Sequence, residues 1–176
     1  MVDEDRQQTK DDPDLKLNLN ELESLKKDFA LQIKPIDLDG FKDKDDFNYG
    51  IWKKNNVRSH KVSGHSIVNI SLTKLGTAPG DATSEQMRIL AKLADEFSSG
   101  EIRTTKRQTI VFPFVRKDQV FDLWKSLEQY DLSSPHQGTL AQIVACPGRD
   151  YCDLAKAVSI PVSYTHLRAH ETSLHL

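Results

Sequence analysis

Residues 83–100, TSEQMRILAKLADEFSSG, carry the marks of both helix ends with an apolar stripe between them. Thr83 and Gln86 have capping-box spacing, which satisfies free backbone N–H groups at a helix start. The apolar residues recur at helical spacing and are Met87, Leu90, Leu93, Ala94 and Phe97. Gly100 is a favoured helix terminator. We therefore predict a helix that ends near Ser98 and packs its stripe against a neighbouring layer.

Extended segments are predicted on both sides of this helix. His65 to Leu72 alternates, with Val68, Ile70 and Leu72 on one face of a strand. Ile102 to Phe114 is predicted to be extended, with a break near Pro113 because proline cannot donate to a sheet ladder.

A second helix and a third strand complete the predicted order. Lys117 to Gln129 has helical spacing, and Leu140 to Ala145 is a short apolar run after a loop. Leu154 to Ile160 is predicted to be helical as well. Strand, helix, strand, helix, strand predicts an α+β fold of the ferredoxin-like type, with βαβ-type units on one small sheet.

Composition excludes several classes of protein. The 176 residues are 38% hydrophobic and 28% charged, with a formal net charge of −2. A slightly acidic chain argues against nucleic acid as the main partner. No apolar run approaches membrane-spanning length, and the polar start is not a secretory signal. Two cysteines do not make a secreted disulfide scaffold, so a cytoplasmic location is expected.

The two cysteines of the chain lie six positions apart, at Cys146 and Cys152, around a Pro147-Gly148 turn. Thiolates are the usual ligands of iron–sulfur clusters, which as a rule need four of them. On spacing alone, a pair of small buried hydrophobic residues or a redox-active dithiol is favoured over cluster ligation. The spacing differs from the two-residue spacing typical of zinc knuckles.

A cationic segment precedes the cysteines in RTTKRQ, residues 103–108. If the segment is extended, Arg103, Thr105 and Arg107 share one face. Arginine offers a planar fork of donors to carboxylates and oxyanions, so this face would suit an anionic ligand. On the charge pattern alone, a solvated edge strand whose charges deter pairing with other strands is favoured over an anion site.

The region from about Trp52 to Ile160 resembles the sirohaem-dependent nitrite and sulfite reductases. Matching motifs occur in the family's order: Asn56-Val-Arg58, Gly80-Asp-Ala-Thr-Ser-Glu-Gln86, Leu90-Ala-Lys-Leu-Ala94, Gly100 to Thr105 with Gln108, Gly138-Thr139, and Val144-Ala-Cys-Pro-Gly148 with Asp150, Cys152 and Leu154-Ala155. Members contain two related halves, each a ferredoxin-like segment followed by a larger α/β segment. The chain resembles the start of the second half.

The resemblance implies a role for each matching site residue. Cys146 and Cys152 match the first two ligands of a 4Fe–4S cluster. Arg103 and Arg107 match catalytic basic residues beside the sirohaem and its substrate. Thr105 and Gln108, with Arg103, match residues of the sirohaem-binding motif. Two further family cysteines have no match in the chain.

The resemblance also implies cofactors, partners and boundaries. The parent protein would hold sirohaem and a 4Fe–4S cluster and reduce nitrite to ammonia or sulfite to sulfide. Ferredoxin or a flavoprotein would supply the electrons. We predict a polar lead over residues 1–46, with a short helix at Glu21–Leu31, the half-domain over 47–132, and the truncated start of the sirohaem and iron–sulfur α/β domain over 133–161.

Residues 162–176 resemble a translated sequencing adapter and are set aside as a non-native tail. On this interpretation the chain is a fragment of an enzyme and is inactive alone. The alternatives from other classes are a non-catalytic ferredoxin-like interaction module and a dithiol redox protein.

Overall fold

The computed structural model describes residues 33–74 and 78–172. The chain divides into two compact units, Met1–Lys34 and Pro35–Leu176, and the described fold belongs almost entirely to the second. The helix predicted at Glu21–Leu31 lies outside the described residues. Within those residues, none of the helices has the length and apolar character needed to cross a membrane.

Four strands form one antiparallel sheet: β1 (Val57–Ser59), β2 (His65–Ser71), β3 (Arg103–Thr104) and β4 (Thr109–Arg116). Their order in the sheet is β1-β2-β4-β3. Because β4 lies antiparallel to both β2 and β3, strands β2 and β3 run parallel with β4 between them. The connection from β2 to β3 is therefore a split βαβ unit. The predicted α+β class is confirmed.

In the described residues, the α-helices are α1 (Phe47–Asn56), α2 (Ser84–Phe97), α3 (Val120–Glu128) and α4 (Ile160–Thr172). The predicted helices at residues 83–98 and 117–129 correspond to α2 and α3, the latter preceded by the 3-10 turn Lys117–Gln119. Helix α4 covers most of the segment that resembles an adapter, and that resemblance stays a prediction.

Helix α2 begins as its sequence predicts. The Thr83 side chain accepts from Gln86 N at 3.1 Å, and the Gln86 side chain accepts from Thr83 N at 3.0 Å. The predicted stripe is buried except at one position, because Met87 is 43% exposed. The prediction of Met87 as a core residue is wrong; it lies in the first turn of the helix, beyond the edge of the core.

Helix α1 was not predicted from the sequence. Asp46 caps it by accepting from Tyr49 N at 2.9 Å, and Tyr49, Trp52 and Asn56 are buried at helical spacing. One face of the sheet and helices α1, α2 and α3 share a single core cluster. Its largest fully buried members are Trp52, Tyr49, Phe112, Ile70, Leu90, Leu123 and Leu127.

Pro113 does not break β4, in contrast to the prediction. The register with β2 shifts between Ser66 and Val68, so Pro113 and Phe114 together face Ile67 in a β-bulge. Proline needs no ladder partner there, and Phe114 N donates instead to Ser98 Oγ at 3.3 Å. The predicted irregularity is real, but the strand continues through it to Arg116.

Candidate functional site

The cationic segment forms the tip of a β-hairpin. Strand β3 ends at Thr104, and Gln108 N donates to Thr105 O at 3.1 Å, which closes a tight turn. The prediction of one continuous strand from Arg103 to Arg107 is therefore wrong, and these two residues do not share a strand face. Across the base of the turn, the hydroxyl oxygens of Thr105 and Thr109 lie 2.8 Å apart.

Arg103 is exposed on β3, opposite Val111 of β4. Its Nε donates to Glu101 Oε1 at 2.5 Å, and its guanidinium lies 5.5 Å from the centre of the Phe114 ring. A carboxylate and a ring face both favour a fixed guanidinium. Arg103 thus places a positive charge at the surface of the sheet, beside Glu101 and the Phe114 ring.

Arg107 lies within the turn itself. It is exposed, and its backbone N donates to Thr105 Oγ1 at 3.1 Å. Thr105 therefore stabilises the turn that presents Arg107, and Arg107 projects from the hairpin tip rather than from the sheet.

Gln108 connects the hairpin tip to the cysteine segment. Its Nε2 donates to Ala145 O at 2.7 Å, and its Oε1 accepts from Ala145 N at 3.1 Å. The next residue after Ala145 is Cys146. The structure therefore brings the cationic motif and the first cysteine together, although 37 residues separate the bonded positions.

The cysteine segment itself is irregular. The predicted strand at Leu140–Ala145 and the predicted helix at Leu154–Ile160 are both wrong: residues 142–147 and 151–159 form neither. Their apolar side chains have no layer to pack on, and Leu140 and Leu154 are 72% and 90% exposed. Short apolar runs predict regular structure only where a core receives them.

Cys146 and Cys152 lie on either side of the 3-10 turn Gly148–Asp150. Both thiols are free, with Cys146 exposed and Cys152 half-buried. Gly148 has φ of 66°, and a Cβ built on it would lie 2.8 Å from Ser159 N. Together with the bond from Arg149 N to Ala157 O at 3.1 Å, this close approach folds the loop back on itself.

A cavity of about 290 Å³ lies beside these elements. Its lining includes Gly80, Gln108, Ala145, Pro147, Tyr151 and Ile160. The hairpin tip, the turn at Gly80 and the cysteine loop thus surround one concave surface.

The donor set fits an iron–sulfur cluster in kind but not in number. Cysteine thiols are the ligands such clusters use, and here two stand around one turn with at least one open to solvent. Within residues 33–74 and 78–172, no group of three or more histidine, cysteine or acidic side chains could hold a metal ion. Two more thiolates would have to come from elsewhere.

His60 is a residue that the sequence did not single out. Its ring lies edge-on to Phe114 at 5.3 Å, so it shares that ring with the Arg103 guanidinium. Burial lowers the pKa of His60, and the positive charges of His65 and Arg103 act in the same direction. Isolated histidines are too common to be informative, and this one is recognisable only from its position beside Arg103.

We expect His60 to make the stability of the protein pH-dependent. Because the folded-state pKa lies below the unfolded value of about 6.5, its contribution is complete above that pH and is lost as pH falls through the folded pKa. The ring-proton shifts of His60, followed by NMR, should give a midpoint below about 6.5. The variant His60→Gln should flatten the decline of unfolding free energy with acid. A midpoint at or above the ordinary value would contradict the assignment.

Comparison with known proteins identifies relatives of the hairpin and its helices. Residues 73–130 match the family described as nitrite/sulfite reductase ferredoxin-like half domain. A chloroplastic ferredoxin–nitrite reductase of Oryza sativa subsp. japonica is 33% identical over 99 residues, and that of Zea mays is 34% identical over 88. These stretches cover 56% and 49% of this chain.

The aligned region spans 16% of the length of each of these relatives, and the same share of the Spinacia oleracea protein, which is 31% identical over 100 residues. The likeness is therefore to one part of a much longer reductase. Over that part, the resemblance and the ferredoxin-like fold predicted from the sequence are both confirmed.

Proposed function

We propose that residues 73–130 act as a ferredoxin-like half domain of a nitrite or sulfite reductase. On this premise, the chain contributes part of the cofactor site of such an enzyme. The observation that carries the proposal is the pair of hydrogen bonds between Gln108 and Ala145. It joins the cationic hairpin to the residue before Cys146, so that groups suited to an anion and to iron occupy one surface.

In this proposal Cys146 and Cys152 supply two of the four thiolates of a 4Fe–4S cluster. Cys152 lies in the loop of residues 148–159, which is closed by the Arg149–Ala157 bond and the tight approach at Gly148, and Cys146 lies two residues before this loop. Residues 133–161 would then be the start of the domain that holds both cofactors.

Arg103 and Arg107 provide positive charge for the anionic groups of sirohaem and for a small oxyanion. Arg103 binds Glu101 through Nε, and its terminal nitrogens remain suited to a planar anion. Thr105 orders the turn that carries Arg107. Gln108 belongs to the same motif and keeps one N–H and one oxygen lone pair beyond its bonds to Ala145.

We favour nitrite as substrate and ferredoxin as electron donor, because the relatives are named ferredoxin–nitrite reductases. The names of these relatives mention neither sulfite nor a flavoprotein donor, whereas the matched family covers nitrite and sulfite reductases alike. Reduction of nitrite to ammonium consumes six electrons and eight protons and releases two waters. Sirohaem and the cluster, when bound, would supply the redox chemistry; the protein orients the anion and delivers protons.

The chain alone is proposed to be inactive. Two thiolates leave a four-iron cluster without half of its ligands. The activity belongs to a longer protein, in keeping with the 16% of the relatives' length that aligns.

Replacing Cys146 with serine in the longer protein should abolish both the cluster absorbance and nitrite reduction. Serine keeps the size of the side chain and removes the soft sulfur ligand. The measurement is iron content and visible absorbance after anaerobic purification, with turnover by reduced ferredoxin. Leu154→Ser, at a 90% exposed position of the same loop, is the control and should keep both properties.

A full cluster signal in the Cys146→Ser protein would refute the cluster assignment. A colourless, iron-free wild-type protein that forms a reversible disulfide between Cys146 and Cys152 would instead support a dithiol redox protein.

A further inference from the structure

We infer that Gln108 is a positioning residue whose amide sets the direction in which Cys146 is presented. The inference rests on the proposed function for the identity of what Cys146 binds. The contact between Gln108 and the cysteine segment stands on the geometry of the chain itself.

The contact uses both ends of one side-chain amide. The Gln108 amide donates to Ala145 O and accepts from Ala145 N, at 2.7 and 3.1 Å, so it reproduces the pairing that a neighbouring strand would offer. Residues 142–147 belong to no helix or strand. In the described part of the chain, these two hydrogen bonds connect residues 144–147 to the hairpin. They hold the peptide groups on both sides of Ala145, directly before Cys146.

The backbone of Gln108 is strained, and this strain indicates that the side chain has a role. Its φ is 56°, in the left-handed region. A three-residue hairpin loop usually carries glycine at this position, because a side chain disfavours the left-handed conformation. The presence of glutamine in a conformation that favours glycine is explained if its side chain makes a contact that glycine cannot make.

Gly80 forms the surface on which the Gln108 side chain rests. It has φ of 83°, and a Cβ at position 80 would lie 2.5 Å from Gln108 Cβ. The turn around Gly80 is held by a bond from Asp81 N to Ala78 O at 3.0 Å. Any larger residue at position 80 would displace Gln108 and, through it, Ala145.

Amide hydrogen exchange tests the contact directly in this chain. In Gln108→Ala, the Ala145 amide loses its acceptor and should exchange about tenfold faster, in line with the loss of one hydrogen bond. The amides of β2 should keep their exchange rates, which separates a local change from a loss of global stability. An unchanged rate at Ala145 would overturn the inference.

Three further variants separate the side chain from the backbone strain. Gln108→Glu keeps an acceptor of the same length for Ala145 N but loses the donor to Ala145 O, so it should restore part of the protection of the Ala145 amide relative to alanine. Gln108→Asn is one methylene too short and should not restore it. Gln108→Gly removes both the contact and the backbone strain. In this variant the Ala145 amide should exchange as fast as in Gln108→Ala, but the protein should unfold at a higher denaturant concentration than Gln108→Ala. Equal protection in Glu and Asn would argue against a length-specific contact.

The spectroscopic and redox properties of the cluster test whether Gln108 positions Cys146, because a residue that only stabilises the fold would not change them. In the longer, iron-loaded protein, Gln108→Ala should shift the reduction potential or the EPR signal of the cluster, and Gln108→Glu should return it toward wild type. Lost protection at Ala145 with an unaltered cluster signal would overturn the positioning role. Absence of iron from the wild-type protein would refute the proposed function, whereas the exchange data would still decide the contact between Gln108 and Ala145.

Discussion

Replacing Phe112 with alanine should lower the free energy of unfolding by about 3–5 kcal/mol, a large part of the stability of a small domain. Phe112 is fully buried at the centre of β4 and is paired with Val68 of β2. Truncation removes the burial of an entire ring and leaves a cavity between the sheet and its helices. The rigid sheet on one side of that cavity limits how far the structure can collapse into it.

Urea denaturation followed by tryptophan fluorescence measures the loss, because Trp52 and Trp124 are both in the same core cluster. The matched control is Phe47→Ala, the same change at a side chain that is 81% exposed, where a loss below about 0.5 kcal/mol is expected. Similar losses at the two positions would mean that Phe112 is not the centre of the core.

The parts of the fold that the sequence predicted are those stabilised by local interactions. A few neighbouring residues were enough to predict the start of α2, from the capping box of Thr83 and Gln86. The same is true of β2, from the alternation around Val68 and Ile70. Met87 was wrongly included in the buried stripe of α2. Helical spacing indicates which side of a helix faces the core, but it does not indicate how far along the helix the core extends. Helix α1 was missed because its buried side chains are few and its surroundings polar.

The parts that failed depend on distant contacts. Residues 105–108 contain no glycine or asparagine, so nothing in the sequence signals a turn, and Gln108 takes the left-handed conformation in spite of its side chain. The apolar run before Cys146 has strand propensity, but no layer receives it. The hydrogen bonds between Gln108 and Ala145, which are 37 positions apart, accompany the observed conformation of both segments.

The candidate site was predicted as a set of residue types and not as a geometry. Arg103, Gln108 and Cys146 were singled out by their motifs, and the structure brings the last two to one place. The face once expected for Arg103, Thr105 and Arg107 is replaced by a hairpin tip. His60 joins Arg103 only through the fold, since the two are brought together by the Phe114 ring.

Replacing Asn56 with aspartate should destabilise the protein by about 3–5 kcal/mol at neutral pH, although the two side chains have the same shape. Asn56 is fully buried at the end of α1, and its Nδ2 donates to Asn69 O and Ser134 O, each at 3.0 Å. It therefore joins the helix, the sheet and the loop that leads toward the cysteines. Aspartate would offer no donor and would put a carboxylate against two carbonyl oxygens.

Because burial beside two acceptors disfavours the ionised form, the pKa of the introduced carboxyl should rise in the folded state. Below the unfolded value of about 3.9 the carboxyl is neutral in both states, so the charge penalty disappears; it grows as pH rises to the folded pKa. Urea denaturation of wild type and variant across this range should therefore show a deficit that shrinks in acid. The adjacent Asn55→Asp is the matched control: Asn55 is half-buried and its Nδ2 donates to Pro135 O at 2.8 Å, so a loss of about 1 kcal/mol is expected. Equal losses at positions 55 and 56, or a deficit at position 56 that does not change with pH, would contradict the burial of the Asn56 amide between the sheet and this loop.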